Sequence, residues 1–87
     1  MFKMKNVTVI NSMEDFYANV SAEMLQEEDN IKIHFEGSNE ILVMYYFDNE
    51  YVIDVIDTDT YLNINCLSVR NFYELLEEVE GAYGLEY

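Results

Sequence analysis

Ile41-Leu42-Val43-Met44-Tyr45-Tyr46-Phe47, then Asp48-Asn49-Glu50, then Tyr51-Val52-Ile53-Asp54-Val55-Ile56: this stretch decides the fold. Its first run is almost continuously apolar and aromatic, too short for a buried helix and rich in side chains that suit a pleated surface. The polar residues 48–50 interrupt it, and a second run of the same character follows, so the stretch reads as a β-hairpin built on a central strand. Just upstream, Ile31, Ile33 and Phe35 alternate with Lys32, His34 and Glu36, a strand with one wet face, and Gly37-Ser38-Asn39 supplies turn chemistry before the hairpin.

Working outward toward the N-terminus, residues 5–10 place Val7 and Val9 on one face and Asn6 and Thr8 on the other, a short half-buried strand. Ser12 stands where an N-cap belongs, with Asp15 three residues on, and Glu14 and Asp15 suit the positive end of a helix dipole. Met13, Phe16, Tyr17, Val20 and Met24 then recur at spacings of three and four, which predicts one helix over 13–26. Beyond the hairpin, Asp57-Thr58-Asp59-Thr60 is a polar turn. Leu62, Ile64 and Cys66 alternate with Tyr61, Asn63 and Asn65, either a further edge strand or an extended connection, with Cys66 on the apolar side as a small core residue. Ser68 reads as a second N-cap, Val69, Phe72, Tyr73, Leu75, Leu76 and Val79 as a helical stripe over 69–80, and Gly81 as its C-cap. The opposite face of that helix carries Glu74, Glu77, Glu78 and Glu80 with Arg70 as its only cation, so it is not tuned for helix stability. With no proline, three glycines and no repeat, nothing marks a linker. The expectation is an α+β fold: an antiparallel β-sheet of three to five strands packed by two α-helices, in the order β-α-β-β-β-(β)-α, forming a single compact acidic domain over residues 1–87.

Eighteen acidic residues oppose four basic ones, for a formal net charge of −14. Disordered acidic tails are poor in apolar residues, whereas this chain is 51% hydrophobic and 15% aromatic and is expected to fold. A domain of 10.3 kDa spans roughly 25 to 30 Å. B-DNA carries about one charge per 1.7 Å of axis, so 14 charges match roughly 24 Å of duplex. A net charge of about 2 to 8 already suffices for solubility, and the excess repels itself within the folded state. Such a surface excludes direct binding of nucleic acid or of a negative membrane, and it points to a basic partner. One cysteine rules out an intramolecular disulfide framework and favours a reducing cytoplasm. Met1-Phe2-Lys3-Met4-Lys5 is followed by no apolar run of signal-peptide type, and no stretch is long and apolar enough to span a bilayer.

Nucleophilic catalysis needs a nucleophile held near a base, but the single histidine, His34, and the single cysteine, Cys66, fall in different expected elements. No glycine-rich phosphate loop and no metal-ligand spacing is present. Asp54, Asp57 and Asp59 lack the glycine and the distal glutamate of a calcium loop. No enzymatic activity, cofactor or metal is therefore expected. The candidate partner-binding residues are Asp48, Glu50, Asp54, Asp57 and Asp59 around the hairpin and its exit, with Glu74, Glu77 and Glu78 of the last helix, arranged to imitate a phosphate track. Tyr51 and Tyr61 add aromatic faces suited to Lys and Arg. Tyr45 and Tyr73 fit a core or sheet face better, and residues 83–87 form a tail or an extra contact.

The order of an early helix, an Ile-rich strand, a short polar turn, a hairpin whose return reads Asn49-Glu50-Tyr51-Val52-Ile53, and a late helix resembles the small acidic phage-encoded anti-CRISPR proteins that inhibit Cas9. The resemblance covers residues 13–79 in element order. It implies a DNA mimic at the site where a CRISPR effector reads the short motif beside its target, with Asp48, Glu50, Asp54, Asp57 and Asp59 standing in for phosphates. This chain departs from the pattern by its additional N-terminal strand and by lacking a long acidic segment before its end, so another CRISPR effector or host defence nuclease is equally compatible. The residues alone leave two other readings open: an immunity protein neutralising a basic nuclease toxin, and a small structural or regulatory interaction module whose acidic groups only solvate it.

Overall fold

The structure, a computed structural model, describes residues 6–83. The expected strand start at Lys5 and the terminal segment 84–87 lie outside the described residues. The order is β1 (Val7–Ile10), α1 (Met13–Asn19), α2 (Ala22–Glu27), β2 (Ile31–Phe35), β3 (Glu40–Phe47), β4 (Glu50–Asp57), β5 (Asn63–Val69) and α3 (Phe72–Tyr83). The fold is α+β, and the five strands lie in one sheet in the sequential order β1-β2-β3-β4-β5. The sheet is mostly antiparallel; β1 departs from that pattern, running parallel to β2 because the two helices between them return the chain to its starting end.

The hairpin forms where expected, but its turn is tighter. Phe47 pairs with Glu50, leaving only Asp48 and Asn49 as the connection. Both have positive φ, 54° and 66°, the type I′ geometry whose twist matches that of the flanking strands. This turn fixes the parity of β4: Tyr51, Ile53 and Val55 point to the helical side, packed with or against the core, and Val52, Asp54 and Ile56 point to the other face.

The single helix expected over 13–26 is two. Ser12 Oγ accepts from the Asp15 amide at 3.1 Å, as the capping pattern predicted, while Asp15 Oδ2 accepts at 3.5 Å from the amide of Asn11, one residue before the cap, in place of the Ser12 amide of a full capping box. The chain then becomes extended at Val20 (φ −137°, ψ 123°), and Ser21 caps α2 by accepting from the Met24 amide at 3.2 Å. The reason lies in packing. At 3.6 residues per turn an unbroken helix would place Leu25 about 180° round from Phe16, whereas the break lets Phe16, Val20 and Leu25 all enter the core, at 0%, 2% and 1% exposure.

Five other expectations are corrected. Strand β1 faces the opposite way: Ile10, paired with Phe35, is buried, and Val9 is exposed. The last helix begins at Phe72, because residues up to Val69 find ladder partners on β4; Ser68 lies in β5 opposite Val52, and the capping oxygen is Asn71 Oδ1, accepting from the Glu74 amide at 3.0 Å. Gly81 lies inside α3, and Tyr73 stands in solvent at 79% exposure, off the Leu75 and Val79 stripe. Cys66 is exposed. A register irregularity opposite Val55 and Ile56 makes Ile64 the extra residue, so Leu67 and Val69 take the inward positions and Cys66 faces Asp54 on the outer face.

All three helices cover the same side of the sheet, where Phe16, Leu25, Leu75 and Val79 pack on Ile33, Leu42, Met44 and Ile53. Side-chain hydrogen bonds fasten this layer: Gln26 Nε2 donates to the Tyr51 hydroxyl at 2.9 Å, the Tyr83 hydroxyl donates to Glu40, and the Tyr17 hydroxyl donates to Glu80 between α1 and α3. Among the described residues, no helix lies on the other face of the sheet.

The turn geometry gives a direct test. A non-glycine residue in left-handed backbone costs about 1–2 kcal/mol, least for Asn, so Asn49→Gly should raise stability by about 0.5 kcal/mol. Asn49→Val should lower it by about 1–2 kcal/mol, or about 4–16 °C in thermal midpoint. Loss of stability in the glycine variant would contradict the type I′ turn.

Candidate functional site

Strand parity sorts the acidic candidates onto different surfaces. Tyr51 is withdrawn from any partner: it points inward, is 6% exposed and accepts from Gln26. Asp54, on the open face, accepts from the Tyr45 hydroxyl at 3.2 Å and lies opposite Cys66 across the ladder. Asp48 and Glu50 sit at one end of β4 while Asp57 and Asp59 sit at the other, about 24 Å away for seven residue steps of extended chain. The carboxylate of Asp57 closes its own loop, Oδ1 accepting from the Asp59 amide at 3.1 Å and Oδ2 from the Thr60 hydroxyl at 3.2 Å. Its carbonyl accepts from the Tyr61 amide at 2.7 Å, and Tyr61, half-buried, has a φ of 58°. The hairpin carboxylates therefore do not form one continuous track, because alternation and strand length separate them.

What the fold does bring together is Glu50 with Glu74, Glu77 and Glu78, around a groove between the hairpin end of β5 and α3 that also holds Ser68 and Arg70. Glu74 Oε1 accepts from the Arg70 amide at 3.0 Å, while Glu77 and Glu78 are exposed and lie one helical turn or less from it. Through Leu67 and Glu78 this groove joins a second one of about 320 Å³, floored by Leu42, Ile53, Val55 and Val79 and bordered by Glu40 and Tyr83. Glu40 was not among the candidates read from the sequence, its position at the mouth of the central strand being the only local signal, and Tyr83, read there as part of a tail or an extra contact over 83–87, is the last residue of α3. Burial, and then the hydrogen bond to Glu40, hold the Tyr83 hydroxyl far above the ordinary tyrosine range. Burial followed by Asp54 raises Tyr45 in the same sense.

The two sides of the molecule differ in charge. Helices α1, α2 and α3 contain eight carboxylates, Glu14, Asp15, Glu23, Glu27, Glu74, Glu77, Glu78 and Glu80, and no Lys or Arg. The open sheet face, by contrast, carries Lys32 and His34 beside Asp54 on a background of Val43, Val52 and Ile56. No charged side chain among the described residues is buried, so the carboxylates remain hydrated and available to an approaching cation.

His34, on β2, hydrogen-bonds through Nε2 to the Ser38 carbonyl at 2.9 Å, and Cys66 is three strands away on β5, about 14 Å at the usual strand spacing. A nucleophile and a base are thus not apposed. Among the described residues no group of three or more potential ligands is gathered for a metal ion, and Asp54, Asp57 and Asp59 are not brought together as one. No described helix is long and apolar enough to cross a membrane. No family model, curated protein or solved structure matches this chain.

The Asp54 carboxylate, chiefly as a hydrogen-bond acceptor, holds the Cys66 thiol above its usual pKa. Alkylation of this exposed thiol by iodoacetamide at pH 8 should accordingly accelerate several-fold in Asp54→Asn, because more of it becomes thiolate. An unchanged rate would show that the two groups do not interact.

Proposed function

We propose that this chain is a non-enzymatic acidic DNA mimic, an anti-CRISPR-like inhibitor that occupies the nucleic-acid-binding site of a CRISPR effector or another defence nuclease. Its place of action is the cytoplasm of a bacterial host, and its origin a phage or prophage. The observation that carries this reading is the helical layer, whose three helices hold eight hydrated carboxylates and no Lys or Arg on one side of a folded slab measuring 33 × 33 × 20 Å. A basic groove that holds phosphates attracts such a surface by the same long-range field and releases its counterions in the same way. The proposed focus of contact is Glu50, Glu74, Glu77 and Glu78, which share one groove, with the remaining helical carboxylates supplying the steering field.

Expression of the chain in a CRISPR-immune bacterium should restore plaquing by the targeted phage by several orders of magnitude. The purified chain should bind the effector in competition with target DNA. If it replaces six to ten phosphate contacts, affinity falls about 10³- to 10⁵-fold between 50 and 200 mM salt, and Glu74→Gln/Glu77→Gln/Glu78→Gln should weaken binding at least about tenfold. Binding that ignores salt and persists beside bound DNA would overturn mimicry. Protection of cells against a nuclease toxin with no effect on CRISPR immunity would replace the target class by that of an immunity protein.

A further inference from the structure

We infer that the outer edge of β5, together with the groove between β5 and α3, takes an extended basic segment of the protein partner by strand addition. The inferred segment alternates Lys or Arg with small apolar residues. This rests on the proposed function for the existence of a basic protein partner, and adds how that partner is held.

The edge is defined by the hairpin. Phe47 and Glu50 close a two-residue turn and so form a hydrogen-bonded pair. Alternation along the antiparallel ladder then aims the backbone groups of Tyr51, Ile53 and Val55 at β5, and those of their partners Val69, Leu67 and Asn65 back at β4. The amides and carbonyls of Cys66 and Ser68 are left pointing away from the sheet. Exposed edges are ordinarily blunted by charge, proline or brevity. Strand β1, the opposite edge, has four residues, but β5 has seven, Asn63–Val69, with no charged residue and no proline. Its protective features lie toward one end: the extra residue Ile64 disturbs the ladder, and Asn65 Oδ1 accepts from the Cys66 amide at 2.9 Å, which leaves the Ser68 amide and the carbonyls of Cys66 and Ser68 for pairing.

Charge complementarity selects the occupant. Every second side chain of an added strand would project to the helical side, into the groove where Glu50, Glu74, Glu77 and Glu78 flank Leu67 and Val69. Basic side chains reach carboxylates there while their aliphatic stems cover the apolar floor. A second copy of this chain is disfavoured at the same edge, since two β5 strands side by side would bring two glutamate-bearing α3 helices together.

The probe is a capped seven-residue peptide alternating Lys and Val, compared with the same sequence N-methylated at alternate backbone positions, in which charge is unchanged but one pairing edge is removed. Titration of the ¹⁵N-labelled full chain should shift amides of residues 66–69 and 74–78. The N-methylated peptide should bind at least tenfold more weakly. Ser68→Pro, which removes an outward amide and no ladder bond, should reproduce that loss with the thermal transition retained. The inference is overturned if the parent peptide does not bind, if both peptides bind equally, if shifts centre on Val43 and Ile56 of the open face, or if sedimentation shows β5-dependent self-association of the free chain. Equal, salt-sensitive binding of both peptides would defeat strand addition while leaving the charge-based function intact. That function fails separately if the effector binds the chain without regard to salt or DNA.

Discussion

The two-residue turn at Asp48 and Asn49 is the constraint on which the remaining structure depends. By fixing the pairing of β3 with β4 it decides that Tyr51, Ile53 and Val55 face the helices, and through β4 it sets which residues of β5 face inward and which backbone groups stay unpaired. A slip of one residue would exchange Ile53 for Asp54 in the core, exposing apolar surface and burying a carboxylate at once. The core composition therefore enforces the register that the turn initiates.

Net charge and core size pull against each other in a chain this short. A domain of this size buries only about 60–65% of its unfolded surface, and fourteen net negative charges add repulsion to a narrow margin. The fold manages this by keeping every described charged side chain out of the interior and by placing eight of the eighteen acids on the three helices, where solvent screens them. Tyrosine hydroxyls convert a few of these carboxylates into fastenings: Tyr83 with Glu40 and Tyr17 with Glu80 join elements far apart in sequence. The same distribution that limits self-repulsion leaves a one-sided field for a partner to meet.

The α+β class, the hairpin, the Ile31–Phe35 strand and the capping of α1 by Ser12 were legible because each is announced by local periodicity or by a cap. The break at Val20 and Ser21 was not, since Phe16, Tyr17, Val20 and Met24 fit one helical stripe; only the need to bury Leu25 on the same side as Phe16 betrays it. The faces of β1 and β5 were inverted for a related reason. The four residues of β1 carry too few alternations to set their own parity, which Phe35 imposes, and in β5 the extra residue Ile64 shifts the alternation so that Cys66 faces Asp54. The surface site was legible as composition but not as geometry. Carboxylates near one another in sequence, such as Asp54 and Asp57, are separated by strand alternation, whereas Glu50 meets Glu74, Glu77 and Glu78 only through tertiary packing.

The central claim is that the negative field is one-sided, and it is open to measurement on the free chain. Amide-proton relaxation by a cationic and by an anionic nitroxide cosolute of equal size reports the local potential near each residue. The account predicts a strong excess of the cationic effect along 74–80 and on α2, falling markedly over Val43, Val52 and Ile56 of the open sheet face. A ratio that is uniform over both faces would contradict it.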